Sequence, residues 1–295
     1  MNKILVTGAN GQLGNELREI DRQGAYAGQY EFVFTDVAEL DITDREAVRA
    51  FAEEVHPAWI VNAAAYTAVE RAETDAERAE LLNATAVRNL VEAAEAVGAG
   101  FVQVSTDYVF DGRMPADRHA LAEEEPVGPQ SVYGTTKLRG EGYALAYPRS
   151  LVVRTAWLYS TYGNNFVKTM LRLGSERSEL RVVADQWGTP TYAADLAAAL
   201  LRMIAVCDAR PEGAGELFGL YHYTDEGITT WCEFAQEIMR LGDRNCTVRP
   251  ITTAEYPAAV ARPAWSVLSK RKIHNTFRVS VPDWRDSLAR CIRAL

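Results

Sequence analysis

The chain has 295 residues, 48% of them apolar, enough to bury a full core as one large or two modest domains. Its 31 basic and 40 acidic residues give a net charge of −9, with no run of Lys or Arg dense enough to track a phosphate backbone, which argues against nucleic acid and anionic membrane as partners. No apolar run approaches the length of about eighteen residues that spans a bilayer, and one lysine precedes the first strand, so a cytoplasmic protein is expected. Cys207, Cys232, Cys246 and Cys291 lie far apart without a C-x-x-C pair and read as reduced structural thiols.

Residues 3–7 form a short apolar run that leads into Gly8, Gly11 and Gly14 and then into helix-forming residues. A strand that turns into a helix this quickly brings backbone against whatever sits at the turn, which glycine permits because it lacks Cβ. Gly8 makes the turn, Gly11 lets a pyrophosphate approach the main chain, and Gly14 lets the new helix pack on the strand. The unpartnered N–H groups at the start of that helix suit a diphosphate. A second strand, residues 31–35, ends in Asp36, about twenty residues past the glycines, where a carboxylate holds a ribose 2′-hydroxyl. Thr43 with Glu46 has the form of a capping box for a helix that reaches Val55 and is broken at His56-Pro57.

Residues 59–65 read as a buried strand that runs into the small residues Ala63, Ala64 and Ala65, which leave room for a ligand at the strand's C-terminal edge or simply pack tightly. Residues 70–97 predict one or two long helices capped by Gly98. Another buried strand, 101–104, delivers Ser105, Thr106 and Asp107 to the same edge. An acidic loop follows, then a helix beginning near Ser131 that carries Tyr133 and Lys137, then a strand over 150–157. Beyond that the rhythm weakens: a helix near 164–171, a short strand at 180–183, a turn at 185–190, an Ala- and Leu-rich helix over 195–206, and helical stretches at 230–241 and 284–295.

The alternation predicts an α/β fold, a doubly wound parallel sheet of the Rossmann kind. The expected dinucleotide-binding domain covers residues 1–157 plus a returning helix at about 191–206; a smaller mixed α/β substrate domain takes 158–190 and 207–295. Tyr133 and Lys137, four apart, stand on one helical face. A lysine cation beside a phenol lowers its pKa from about 10, so the pair makes a tunable proton donor.

The blocks Thr7-Gly8-x-x-Gly11-Gln12-Leu13-Gly14, Asn62 to Val69, Ser105 to Gly112, Tyr133-Gly134-x-x-Lys137, Arg154-Thr155-x-Trp157 and Asp185-Gln186-x-Gly188-x-Pro190-Thr191 together resemble the dTDP-4-dehydrorhamnose reductase family of extended short-chain dehydrogenases. The resemblance implies reduction of the 4-keto group of dTDP-6-deoxy-L-lyxo-4-hexulose to dTDP-L-rhamnose with NADH or NADPH. It implies that Gly11, Gln12 and Leu13 hold the pyrophosphate, Asp36 the adenosine ribose, Asp41 and Ile42 the adenine, and Ala63, Ala64, Ala65 and Thr67 the middle of the cofactor. Thr106 and Asp107 contact the sugar, Trp157 lies against it, Tyr133 supplies the proton, and Lys137 biases Tyr133 and bonds the nicotinamide ribose. Asp36 repels a 2′-phosphate and Ala9, Asn10 and Gln12 supply no cation to offset it, so NADH is the expected preference and NADPH the second cofactor.

Some members of that family bind Mg²⁺ at a dimer contact through acidic side chains. Glu16 stands at one such place, with Asp195 and Asp286 as partners to consider; a solvated carboxylate is the competing reading, and a homodimer is left open. His56, His119, His222 and His274 match no base or ligand position. Two rivals remain at this stage. A related 4,6-dehydratase or epimerase follows its Thr-Asp pair with Glu, where this chain has Tyr108. A non-catalytic dinucleotide-binding subunit, like the regulatory partner of methionine adenosyltransferase, need not turn over a sugar.

Overall fold

A computed structural model describes residues 1–210, 214–256 and 258–295. The first half alternates strictly: β1 (Asn2–Thr7), α1 (Gln12–Arg22), β2 (Tyr30–Thr35), α2 (Arg45–Val55), β3 (Trp59–Asn62), the short α3 (Val69–Ala72) and α4 (Ala76–Glu80), α5 (Ala86–Val97), β4 (Gly100–Thr106), α6 (Val132–Ala146) and β5 (Ser150–Thr155). Then come β6 (Leu158–Tyr159), α7 (Phe166–Glu176), β7 (Glu179–Val183), β8 (Trp187–Gly188), β9 (Thr191–Tyr192), α8 (Ala193–Asp208), β10 (Gly219–His222), β11 (Thr229–Thr230), α9 (Trp231–Leu241), β12 (Thr247–Ile251), α10 (Arg271–Phe277) and α11 (Trp284–Ala294).

Six strands pair in parallel in the order β10-β5-β4-β3-β1-β2. Successive side chains of each strand feed opposite faces. Ile4 and Val6 join Leu13 and Leu17 of α1, Leu196, Leu200 and Ile204 of α8, and Phe277 of α10 on one side. Leu5, Ile60, Phe101 and Val152 meet Val48, Leu90 and Ala144 of α2, α5 and α6 on the other. Strands buried on both faces need the continuous apolar runs seen here. A third cluster, with Tyr159, Val167, Phe234, Ile238, Trp284 and Leu288, is built from the later elements.

Four local expectations need correction. Asp44, not Thr43, caps α2: its Oδ1 accepts from the N–H groups of Glu46 and Ala47 at 3.1 and 3.0 Å, while the Thr43 hydroxyl is spent on Asp41 Oδ1 at 2.7 Å. The stretch 70–97 is broken into α3, α4 and α5, the last two joined by a single π-helical turn, Leu81–Thr85. That turn aims Asn83 inward, where its side chain bonds the N–H and carbonyl of Tyr66 and the Thr136 hydroxyl. The turn at 185–190 contains β8, paired antiparallel with β11. Finally, packing does not divide at residue 207, because β10 is the sixth strand of the main sheet and α10 packs on its core.

Candidate active site

The strand ends at Thr7, Asn62, Thr106 and Thr155 open onto one cleft of about 1270 Å³. A buried polar ladder keeps three of them in register. Thr7 donates to Asn62 Oδ1 at 2.7 Å, Asn62 donates to Gln103 Oε1 at 2.8 Å, and Gln103 donates to the Val104 carbonyl at 2.8 Å. Asn62 Oδ1 also receives the Ala64 N–H, which fixes the small-residue turn beyond β3. Sequence reasoning missed this ladder, although a polar residue in each of three apolar strands was its signal.

The glycine turn has the predicted tightness. Gly8 sits at φ +68°, and a Cβ there would lie 2.6 Å from Ala64 N; at Gly14 it would lie 2.5 Å from Ala9 Cα. At Gly11 the nearest atom would be Gly8 O at 3.2 Å. Gly11 offers no side-chain cap to α1, so the first N–H groups of that helix are left for a ligand. An anionic diphosphate fits this cradle of bare backbone at a positive helix end. Asp36, at the end of β2, accepts from the Asn10 and Val37 N–H groups at 2.9 and 2.8 Å. Asp41 is exposed and held low by its bonds to Thr43, and Ile42 beside it is buried. Every expected cofactor and substrate residue lines the cleft except Gly14, which packs behind the turn.

Ser131 caps α6 by accepting from the Gly134 N–H at 3.0 Å. Gly134 lets the helix approach the turn Asp107–Val109, since a Cβ would lie 2.2 Å from the Tyr108 carbonyl oxygen. This contact brings the ring of Tyr133 edge-on to Tyr108, 5.5 Å between centroids. Lys137 is buried and donates to the Val104 carbonyl at 2.7 Å. Burial lowers it to about 8, opposed by Glu141 one turn further on. Tyr133 departs from expectation: burial raises its phenol above the ordinary tyrosine value, Asp107 and Tyr108 add to the rise, and Thr106 alone opposes it. The Lys137 ammonium is committed to the Val104 carbonyl and does not offset burial, so Tyr133 is held neutral, the state a proton donor needs.

Trp157 stands in the left-handed region at φ +49° and stacks on Trp231, 3.6 Å between centroids and 12° between planes. Gly188 makes room for it, since a Cβ there would meet its ring at 2.6 Å. Further unforeseen contacts tie the later elements to the sheet. Arg262 donates to the Tyr108 hydroxyl at 2.9 Å and to Glu70 at 2.8 Å. Asn165 caps α7 and donates to Gln12 Oε1 at 3.0 Å. Beneath α6, Arg154 and Glu141 form a bidentate ion pair at 2.9 and 2.7 Å, each 3% exposed or less, with the guanidinium over the Phe110 ring.

Two of the acidic residues considered for Mg²⁺ have partners within the chain. Glu16 is buried, raised by that burial, and receives the Ser160 hydroxyl at 2.6 Å; Asp195 is taken by Ser287 and Arg290. Among the described residues no group of three or more His, Cys, Asp or Glu is set to hold an ion. His222 is buried beside Arg154, with Nδ1 at the Leu121 carbonyl. The four cysteines are buried and free, and among the described residues no helix is long and apolar enough to cross a membrane.

A parallel sheet with a glycine cradle at one strand end and a Tyr-x-x-x-Lys pair across the same cleft is the architecture of an extended short-chain dehydrogenase. The whole chain, residues 1–295, matches the family model described as the RmlD substrate binding domain, and the protein belongs to that family. It is 39% identical to a dTDP-4-dehydrorhamnose reductase of Aggregatibacter actinomycetemcomitans, over 98% of this chain and 97% of that one. Among solved structures, a dTDP-4-dehydrorhamnose reductase of Clostridium acetobutylicum superimposes with a TM-score of 0.90 at 44% identity, covering 99% of each chain. One from Bacillus anthracis, solved in complex with NADP, gives 0.90 at 38% identity over 100% of each.

Proposed function

We propose that the protein reduces the 4-keto group of dTDP-6-deoxy-L-lyxo-4-hexulose to give dTDP-L-rhamnose, a cytoplasmic step that feeds cell-surface polysaccharide synthesis. The observation that carries this reading is the convergence of Thr106, Tyr133 and Lys137 on the cleft that also contains the glycine turn. Gly11, Gln12 and Leu13 hold the cofactor's pyrophosphate at the start of α1, Asp36 its adenosine ribose, Asp41 and Ile42 its adenine, and Ala63, Ala64, Ala65 and Thr67 its middle. The bound nicotinamide cofactor supplies a hydride to the sugar C4.

As negative charge grows on the carbonyl oxygen, Tyr133 gives it a proton and the Thr106 hydroxyl orients it. Lys137 bonds the nicotinamide ribose. Asp107 and the Trp157 face bound the sugar, with Trp231 and Gly188 fixing the indole's plane. General acid help of this kind is worth about 10²–10⁴ in rate.

NADH is the preferred cofactor on this reading. Asp36 repels a 2′-phosphate, and the turn residues Ala9, Asn10 and Gln12 carry no cation. The test is to incubate the protein with the keto sugar and each reduced nucleotide, identify the sugar product by proton NMR, and compare KM values. Formation of dTDP-L-rhamnose with the lower KM for NADH supports the reading. A different 4-epimer overturns the product assignment, an untouched keto sugar overturns the substrate assignment, and a lower KM for NADPH overturns the preference.

A further inference from the structure

Asp107 is a carboxyl in an unusual position. It follows directly on β4, lines the cleft, and is only 4% exposed. Its Oδ1 accepts the Thr106 hydroxyl at 3.0 Å, and its Oδ2 is buried without a partner among the described residues. The Ser266 hydroxyl, which faces the same carboxyl, donates instead to the Trp187 carbonyl at 3.2 Å. Thr106 is also the hydroxyl that faces the Tyr133 phenol. It therefore stands between the two acids.

The surrounding groups leave Asp107 without a counter-ion. The titratable neighbours are two phenols, Tyr133 from α6 and Tyr108 from its own turn. Arg262, on the loop beside Tyr108, is engaged by the Tyr108 hydroxyl and Glu70, and Lys137 by the Val104 carbonyl. Among the described residues no ion pair reaches the Asp107 carboxyl. Burial accordingly pushes it up to about 7, and its charge in turn pushes Tyr133 up. Two anions so close in a buried site exclude each other, so the state in which Tyr133 has lost its proton is one in which Asp107 keeps its own.

We infer that Asp107 is a proton store that reloads Tyr133 through the Thr106 hydroxyl after each turnover, an inference that rests on the reading of Tyr133 as the proton donor. The electron pair arrives at the sugar carbon as hydride, the Tyr133 O–H bond breaks, and the alcohol O–H bond forms. The phenolate then takes the Thr106 hydroxyl proton while Thr106 takes the proton of Asp107. The Asp107 carboxylate regains a proton from water once the product has left. No other reagent is consumed.

Asp107→Asn keeps the volume and the contact to Thr106 but cannot give a proton, so it separates the first turnover from the rest. On rapid mixing with NADH and the keto sugar, the variant should oxidise about one equivalent of NADH per site in a fast first turnover. It should then continue roughly 10²-fold more slowly. Single-turnover and steady-state rates that fall together, or neither falling, overturn the inference, because a carboxyl that merely shapes the sugar site produces no burst. A second measurement needs only the wild-type protein without ligands: ¹³C NMR of carboxyl-labelled aspartate, with the resonance assigned by its absence in Asp107→Asn or Asp107→Ser. A midpoint near 7 supports the inference, and one in the ordinary carboxylate range overturns it. Wild-type protein that leaves the keto sugar untouched removes the reductase reading itself, and the proton store with it.

Discussion

Replacing Gly8 and Gly11 in turn separates the two tasks of the glycine cradle. At Gly8 an added Cβ would lie 2.6–2.9 Å from the backbone of Ala63 and Ala64, and the residue sits at φ +68°. The left-handed conformation costs a side chain about 1–2 kcal/mol. Forcing β1 and β3 apart to admit the methyl adds about 1–3 kcal/mol, as overpacking generally does. At about 2–4 °C per kcal/mol for a chain of this class, Gly8→Ala should melt roughly 4–20 °C below wild type. Gly11 has φ −74°, and its Cβ would meet nothing nearer than Gly8 O at 3.2 Å. Gly11→Ala should therefore melt within about 2 °C of wild type yet bind NADH at least tenfold more weakly, a loss of about 1.4 kcal/mol, because on the proposed reading the methyl stands where the pyrophosphate approaches. Differential scanning fluorimetry and a fluorescence titration with NADH read both quantities. Gly8→Ala melting with wild type, or Gly11→Ala retaining full affinity, would refute the reasoning.

Other perturbations address the support beneath the site and its charges. Arg154→Met strands the Glu141 carboxylate, 1% exposed, and should cost about 3–5 kcal/mol in urea unfolding, with Glu141→Leu in the same chain restoring most of it; additive losses would contradict this. Burial holds Lys137 down to about 8, so its charged form weighs against the fold fully below pH 8 and progressively less as pH climbs from 8 toward the unfolded value of 10.5. Lys137→Met should thus raise the melting temperature at pH 7 while abolishing turnover, with the gain fading above pH 8; a gain that grows with pH would show the sign to be wrong. Asp36→Ser removes the charge opposed to a 2′-phosphate and should bring the NADPH KM toward that of NADH, and an unchanged ratio would mean that cofactor choice lies elsewhere.

Much of the sheet could be read from the chain, because Ile4, Leu5 and Val6, like Leu151, Val152 and Val153, are apolar on both faces and so demand cover above and below. The glycine turn was legible for a related reason: its spacing answers to backbone approach, and a Cβ at Gly8 or Gly14 would meet backbone atoms within 3 Å. What stayed hidden depends on partners distant in the chain. β10 is four residues long and becomes a sheet strand only through its pairing with β5, nearly seventy positions earlier. The Thr43 cap failed because Asp41, two residues back, competes for the same hydroxyl.

The site shows the same divide. Tyr133 and Lys137 could be paired from their spacing alone. Their charge states could not, because these are set by burial and by neighbouring groups, Asp107 and Tyr108 for the phenol and Glu141 for the ammonium. Trp231 and Arg154 carry no local motif. They become meaningful only when the fold brings them against Trp157 and Glu141.

The most direct test of the account is the loss of NADH absorbance with dTDP-6-deoxy-L-lyxo-4-hexulose, followed for wild type and Tyr133→Phe side by side. The account predicts steady oxidation by the wild type and a fall of at least about 10²-fold in the variant, with the NADH Kd unchanged. A well-folded wild type that oxidises neither reduced nucleotide, or a Tyr133→Phe variant that turns over as fast, would contradict it.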